Sequence, residues 1–78
     1  MPTVLKLNGF RFFFYSNDHL PVHIHVEKGN STAKFNLQPI ELIKSKGFKA
    51  RDLSEIRKLI EKNKSSLENS WYEYHGYQ

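Results

Sequence analysis

The sequence predicts an α+β fold: an antiparallel meander of four or five strands, with one long C-terminal helix packed on one face of the sheet. Two observations predict it. Before about residue 50, apolar residues alternate and turn-forming residues are closely spaced, whereas after it apolar residues recur at helical spacing. The chain has 78 residues, about half the usual size of a domain. We therefore expect a single domain over 1–78, with the sheet in 1–47 and the helix in 50–75.

The sheet is predicted from β-prone segments that are separated by turns. The predicted strands are residues 3–7, 10–15, 22–27, 32–37 and 40–46. Asn8-Gly9 is the strongest hairpin signal, because both central residues of a type I′ turn need positive φ. The fifth segment is ambiguous because Ile43 interrupts its alternation, and one helical turn is the alternative.

A strongly amphipathic helix is predicted from residue 52 onwards. Asp52 and Glu55 have the spacing of a capping box. The positions that then follow at i, i+3 or i+4 spacing are Leu53, Ile56, Ile60, Asn63, Leu67, Trp71 and Tyr74. This stripe predicts one buried face of the helix.

The length of the helix raises a question about its far end. A continuous helix over 52–75 would span about 36 Å, whereas strands of five or six residues span only about 17–20 Å. A straight helix would therefore extend beyond the sheet. Either this overhanging end meets a partner, most simply a second copy that covers Trp71, or the helix breaks near Asn63-Lys64-Ser65 and folds Trp71 onto its own sheet. We expect the continuous helix, because the apolar stripe keeps its phase, and with it a homodimer through this helix.

Strand alternation divides the predicted sheet into two faces. The helix should bury the apolar face, and the expected core is Phe12, Phe14, Val22, Ile24, Val26, Phe35, Leu53, Ile56, Ile60 and Leu67. The opposite face carries Arg11, Phe13, Tyr15, His23, His25, Glu27, Lys34 and Asn36. We expect this second face to be open, basic, aromatic and histidine-bearing.

His23 and His25 lie side by side on this face, and three interpretations of them are open. They can be ordinary surface histidines. They can act as acid and base in cleavage of RNA through its 2′-hydroxyl, since a pKa near 6.5 lets one ring be neutral while the other is charged. They can also hold a metal with Glu27 or His19 as third ligand, although neither has a diagnostic spacing.

We adopt the RNA interpretation, which assigns roles to most residues of this face. The predicted catalytic residues are His23, His25, Arg11 and Tyr15. The predicted nucleic-acid contacts are Phe13, Lys34 and His19. Arg11 or Lys34 would stabilise charge on phosphate, and Phe13 and Tyr15 would stack on unpaired bases unless another element covers them. No metal or other cofactor belongs to this prediction.

Composition excludes several classes of protein. The chain has no cysteine, which excludes disulfides, thiolate catalysis and cysteine-ligated zinc. No apolar run approaches about 18 residues and no signal peptide is visible, so we expect a cytoplasmic protein without a membrane span. The net charge of +4 and the pI near 9.5 are compatible with an acidic partner such as RNA, and they also serve solubility.

Several segments of the chain resemble the DUF4160 family, a small domain of unknown function. These segments are Met1–Leu5, Phe10–Asn17, His19–Gly29, Ala33–Phe35, Gly47-Phe48 and the late Trp71 and Tyr74. The family's His-x-Pro-x-His-x-His segment matches His19, Pro21, His23 and His25. The resemblance implies a short bacterial or archaeal protein that is often encoded beside a second small gene, an arrangement that suggests a toxin–antitoxin-like pair.

We therefore expect a component of a bacterial toxin–antitoxin-like system that binds RNA through the open sheet face, with metal-independent endoribonuclease activity as an extension. Its expected partners are RNA and a cognate small protein encoded by a neighbouring gene. The alternative is a non-catalytic interaction module, an antitoxin or a dimerising domain, whose open face binds a partner protein or a second copy of the chain.

Overall fold

The computed structural model describes residues 3–76 and confirms the α+β class with an antiparallel meander. Its elements are β1 (Thr3–Leu7), β2 (Phe10–Phe13), β3 (His23–Lys28), β4 (Ser31–Leu37), β5 (Ile40–Lys46), α1 (Ala50–Lys62) and α2 (Lys64–His75). Strands that are consecutive in the sequence are neighbours in the sheet, in the order β1-β2-β3-β4-β5. Residues 40–46 therefore form a fifth strand rather than a helical turn. Asn8 and Gly9 both have positive φ, as the predicted hairpin turn requires.

The strand register aligns mainly polar side chains in two rows across one face of the sheet. One row consists of Phe13, His25, Lys34 and Lys44. The next row consists of Lys6, Arg11, Glu27, Thr32 and Lys46. Because side chains two residues apart on a strand share a face, both rows lie on the same side. We call these two rows the basic face.

The opposite side of the sheet forms the core together with the helices. Its buried residues are Phe10, Phe12, Phe14, Val22, Ile24, Val26, Ala33, Phe35, Leu37, Ile56, Ile60, Leu67 and Trp71. Leu53, which was expected among them, is only partly buried at the margin of this cluster. Ile24 is fully buried, so the predicted register of β3 is confirmed.

The C-terminal helix is broken, so the prediction of one long helix was wrong and the alternative break near Asn63 is correct. α1 has 13 residues, about 20 Å, which matches the length of a strand. The backbone N–H of Asn63 is shared between the carbonyls of Leu59 and Ile60, and its side-chain amide also donates to Leu59 O at 2.8 Å. Asparagine side chains compete with helical backbone bonds in this way, which favours an interruption.

The start of α1 also differs from the predicted capping box. The helix begins at Ala50, two residues before the expected cap at Asp52. Asp52 instead occupies the third helical position, where its carboxylate accepts a hydrogen bond from the backbone N–H of Lys49 at 3.2 Å. The Asp52 carboxylate therefore still stabilises the N-terminus of α1, from a position inside the first turn.

After the break, α2 packs across the end of the sheet where β2 stops and β3 starts. Trp71 meets the Phe14 ring edge-to-face at 5.3 Å, and its centroid is 4.9 Å from that of His23. His75 lies at hydrogen-bond distance from Tyr15 O, 3.1 Å away. Trp71 is 1% exposed. Its burial within its own chain removes the overhang that was the reason to expect a homodimer through this helix.

Gly47 ends β5 at a position that only glycine fits. Its φ is +87°, a conformation that side chains rarely adopt. A Cβ there would lie 2.6 Å from Ser31 Oγ and 3.2 Å from Ser31 Cα.

Within residues 3–76, neither helix has the length and apolar character needed to cross a bilayer.

Candidate functional site

The centre of the basic face is a cluster of aromatic rings around His25. Phe13 stacks on His25 with centroids 5.4 Å apart, and Tyr15 meets His25 edge-to-face at 4.7 Å. The guanidinium of Arg11 lies 4.3 Å above the Phe13 ring. These neighbours bury Phe13, so it is not an exposed stacking platform. Tyr15, at 40% exposed, is the most accessible ring of this cluster.

Glu27 pairs with Arg11 across strands β2 and β3. Arg11 Nη1 donates to Glu27 Oε1 at 2.7 Å, and both side chains are partly accessible. Glu27 is therefore engaged by a cation and does not join the histidines. This differs from the metal interpretation of the sequence, in which Glu27 was a candidate third ligand.

The carboxylate that does face the histidines belongs to Asp18, in the loop between β2 and β3. The loop folds back so that the Tyr15 N–H donates to Asp18 Oδ2 at 2.8 Å, while the Asp18 N–H donates to Tyr15 O at 3.2 Å. Asp18 Oδ2 lies 3.2 Å from His25 Nε2, and Asp18 Oδ1 lies 3.3 Å from His23 Nε2. One carboxylate thus bridges two imidazoles.

His23 is buried, with a side-chain exposure of 3%. This corrects the expectation that it stands on an open surface, and the reason is that α2 brings Trp71 against its ring. His23 Nδ1 lies 2.8 Å from Pro21 O. Since a carbonyl oxygen can only accept, Nδ1 carries a proton, and in the tautomer without a second proton Nε2 carries a lone pair. That Nε2 has no hydrogen-bond partner, although Asp18 Oδ1 lies 3.3 Å from it.

Burial and charge shift two pKa values in this cluster. Burial alone would raise the pKa of Asp18, but the Tyr15 N–H and the neighbouring His23 and His25 rings together lower it below its ordinary value. Burial lowers the pKa of His25, and the Asp18 carboxylate opposes this only in part. At neutral pH Asp18 is therefore ionised and His25 is mainly neutral.

Two depressions border this cluster. A groove of about 390 Å³ runs along the basic face and is lined by Tyr15, His25, Lys34 and Lys44 among others. A second cavity of about 350 Å³ lies between the 16–20 loop and the last turns of α2. Asp18 lines the second cavity and His25 lines the first, so the cluster separates them.

The structure brings most of the predicted site residues together. The neighbouring ones are Arg11, Phe13, Tyr15, His23, His25 and Lys34. His19 is exposed and lines the second cavity instead of the basic face. Sequence reasoning missed Asp18, because alternation assigns faces only within strands. A signal that could have indicated Asp18 is its position in the sequence, as a carboxylate in a polar loop five residues before His23.

A comparison with protein families gives one match, and its description is "Domain of unknown function (DUF4160)", over residues 9–72. This range contains the whole cluster around His25, and α2 as far as Tyr72. No curated protein matches the chain. No solved structure matches it either.

Proposed function

The chain belongs to the DUF4160 family, a domain of unknown function, and from its own surface we propose that it binds single-stranded RNA through the basic face. One observation carries the proposal. The two cross-strand rows gather five cationic side chains on one side of the sheet, namely Lys6, Arg11, Lys34, Lys44 and Lys46. Glu27 lies among them and is paired with Arg11. Rows of cations of this kind attract a phosphate backbone.

The groove adds a feature that suits an unpaired strand rather than a duplex. Tyr15 lines the groove, and its ring meets that of His25 edge-to-face with centroids 4.7 Å apart. Lys34 and Lys44, paired across β4 and β5, line the same groove. A base stacked on Tyr15 would place its phosphates near these lysines, which is the usual combination in single-strand binders.

Cleavage of that RNA is an extension that relies on His25 more than on His23. His25 lines the groove, whereas the burial of His23 under Trp71 keeps its ring from an RNA backbone. Arg11 lies one row away, where it could offset charge on a phosphate. The burial of His23 therefore favours RNA binding over cleavage by two histidines.

The proposal includes a biological context, in which the protein is a component of a toxin–antitoxin-like system in the cytoplasm with a cognate small protein as its partner. The support is the resemblance to short proteins encoded in gene pairs. RNA binding by one member of such a pair fits the basic face.

Titration of labelled RNA against charge-reversed variants tests the proposal. The anisotropy of a labelled single-stranded oligonucleotide reports binding. The variant Lys34→Glu/Lys44→Glu should weaken affinity by at least about 10-fold, since each removes a phosphate contact. The matched control is Lys58→Glu/Lys62→Glu, which makes the same change of charge on the exposed side of α1. Equal losses in both variants, or no binding by the parent chain, would contradict RNA binding by this face.

A second candidate function, a protein interaction module, is favoured by the edge strand β5. In the described sheet β5 pairs only with β4. It exposes two large apolar side chains at consecutive positions, Leu42 and Ile43. An exposed edge with apolar side chains can pair with a strand of a partner protein or of a second copy. Replacement of Ile43 by Lys should abolish such an association and leave RNA affinity unreduced.

A further inference from the structure

We propose that Asp18, His23 and His25 form a site for a divalent transition-metal ion such as zinc. The inference goes beyond RNA binding and does not depend on it. Their donor atoms, one carboxylate oxygen and two imidazole nitrogens, all lie within 4.8 Å of one another. Two histidines and one carboxylate are a ligand set that catalytic zinc and non-haem iron use.

The distances around Asp18 are those of ligands that share an ion. Zinc binds imidazole nitrogen and carboxylate oxygen at about 2.0–2.2 Å, so two ligands at a tetrahedral angle lie about 3.4 Å apart. The two oxygens of Asp18 lie 3.3 Å and 3.2 Å from the Nε2 atoms of His23 and His25. The carboxylate therefore already stands at ligand spacing from both rings.

The strongest independent observation is the buried nitrogen of His23. Its Nε2 has no hydrogen-bond partner, although the side chain is 3% exposed. A buried polar atom without a partner costs about 1–3 kcal/mol, and it usually indicates a ligand or a function. In the tautomer protonated at Nδ1, this nitrogen lies 3.3 Å from Asp18 Oδ1 with its lone pair unprotonated, so two electron donors are close together. A cation between them satisfies both.

The other nitrogen of His23 is held in the manner of a metal ligand. Its Nδ1 donates to Pro21 O at 2.8 Å. Metal-binding histidines commonly donate their second N–H to a backbone carbonyl, which fixes the tautomer and directs the lone pair at the ion. Trp71 packs on the ring and prevents it from turning away.

The site can be reached from solvent. Asp18 and His25 retain exposures of 12% and 17%, and each lines one of the two cavities. Three protein ligands leave one position for water or for a phosphate oxygen. The nitrogen donors favour a transition metal, because magnesium and calcium prefer oxygen ligands alone.

Zinc titration of chain purified without a histidine tag tests this site. After treatment with a chelator, zinc is added in competition with a chromophoric indicator, and cobalt is used in parallel for its visible absorption. We expect one ion per chain, and a rise in the thermal unfolding midpoint on addition of zinc. Asp18→Asn keeps the oxygen that accepts from Tyr15 N–H but removes the charge. It should weaken zinc binding by more than the roughly 10- to 100-fold that loss of an outer-shell partner costs.

Three further variants make the result decisive. His25→Gln should weaken zinc binding as strongly as Asp18→Asn. If the Asp18→Asn chain does not fold, His25→Gln is the variant that tests the site. His19→Gln, next to Asp18 in the loop but exposed, and Glu27→Gln, which lies in the pair with Arg11, should bind zinc as the parent chain does. The proposal is overturned if the parent chain does not bind zinc, or if the His19 variant loses as much affinity as the variants of Asp18 and His25.

Discussion

Trp71 and Phe14 meet edge-to-face, with ring centroids 5.3 Å apart and planes at 89°. The contact joins the last helix to the residue that follows β2, and both rings are buried. Edge-to-face pairs of this kind contribute about 0.5–1.5 kcal/mol beyond the area that they bury. Through this contact α2 is fixed to the end of the sheet, over His23.

Loss of the Trp71 side chain should therefore destabilise the whole domain. We expect Trp71→Ala to lower the free energy of unfolding by about 3–5 kcal/mol, the usual cost of deleting a buried aromatic ring. Tyr74→Ala, three residues further along α2 at an exposed position, is the matched control and should change it by about 0.5 kcal/mol or less. Urea unfolding followed by circular dichroism measures both. Equal effects would mean that α2 does not pack as described.

Gly47 provides a second test of stability, with Gly29 as its control. Both glycines have positive φ, but a Cβ at Gly29 meets no atom within 4 Å, whereas one at Gly47 lies 2.6 Å from Ser31 Oγ. Gly29→Ala should cost about 1 kcal/mol from backbone strain alone, and Gly47→Ala should cost about 1–3 kcal/mol more from overpacking.

Replacement of Ser31 by Gly should recover part of the extra cost in the Gly47→Ala chain, because it removes the side-chain atoms that the new Cβ meets. Thermal unfolding is measured for the parent chain, Gly29→Ala, Gly47→Ala and the double variant Gly47→Ala/Ser31→Gly. The comparison separates the steric contribution to the loss of stability from the contribution of backbone strain. No recovery in the double variant would show that the Ser31 side chain is not the obstacle.

Salt dependence distinguishes electrostatic RNA binding from recognition of another kind. For single strands the slope of log K against log salt is about −0.7 per neutralised phosphate. Neutral replacement of Lys34 and Lys44 by Gln should therefore make the slope shallower by about 1.4. Anisotropy titrations at several salt concentrations give the slope. A slope that stays unchanged would place both lysines outside the RNA contact.

The Arg11–Glu27 pair should contribute only modestly to folding. Its side chains are partly exposed, and such pairs are worth about 0.2–1 kcal/mol in double-mutant cycles. We expect a coupling energy in this range between Arg11→Met and Glu27→Gln, and we expect it to decrease at high salt. A coupling of several kcal/mol would mean that the pair is more deeply enclosed than its exposure indicates.

Much of the sheet could be predicted because its signals are local. Asn8 and Gly9 determine the first hairpin, and the alternation around Ile24 determines which side of β3 is buried. The helix break could not be predicted in the same way. Ile60 and Leu67 are seven residues apart, about two helical turns, so the apolar stripe keeps its phase across Asn63 whether or not the helix continues.

The candidate site shows the same limit of local patterns. Alternation places His23 and His25 on one face, and the rings do lie together, with centroids 5.0 Å apart. It does not indicate that α2 covers His23, because that contact depends on the direction the chain takes after Asn63. Nor does it indicate Asp18, whose position is determined by hydrogen bonds within its own loop.

The packing of Trp71 on His23 has a consequence for how the protein is made. Asp18, His23 and His25 leave the ribosome well before Trp71, since synthesis runs from the N-terminus. Until α2 has been translated and has docked, nothing holds Trp71 over the His23 ring. The His23 ring is therefore expected to become buried only once α2 has docked, after most of the chain has been synthesised.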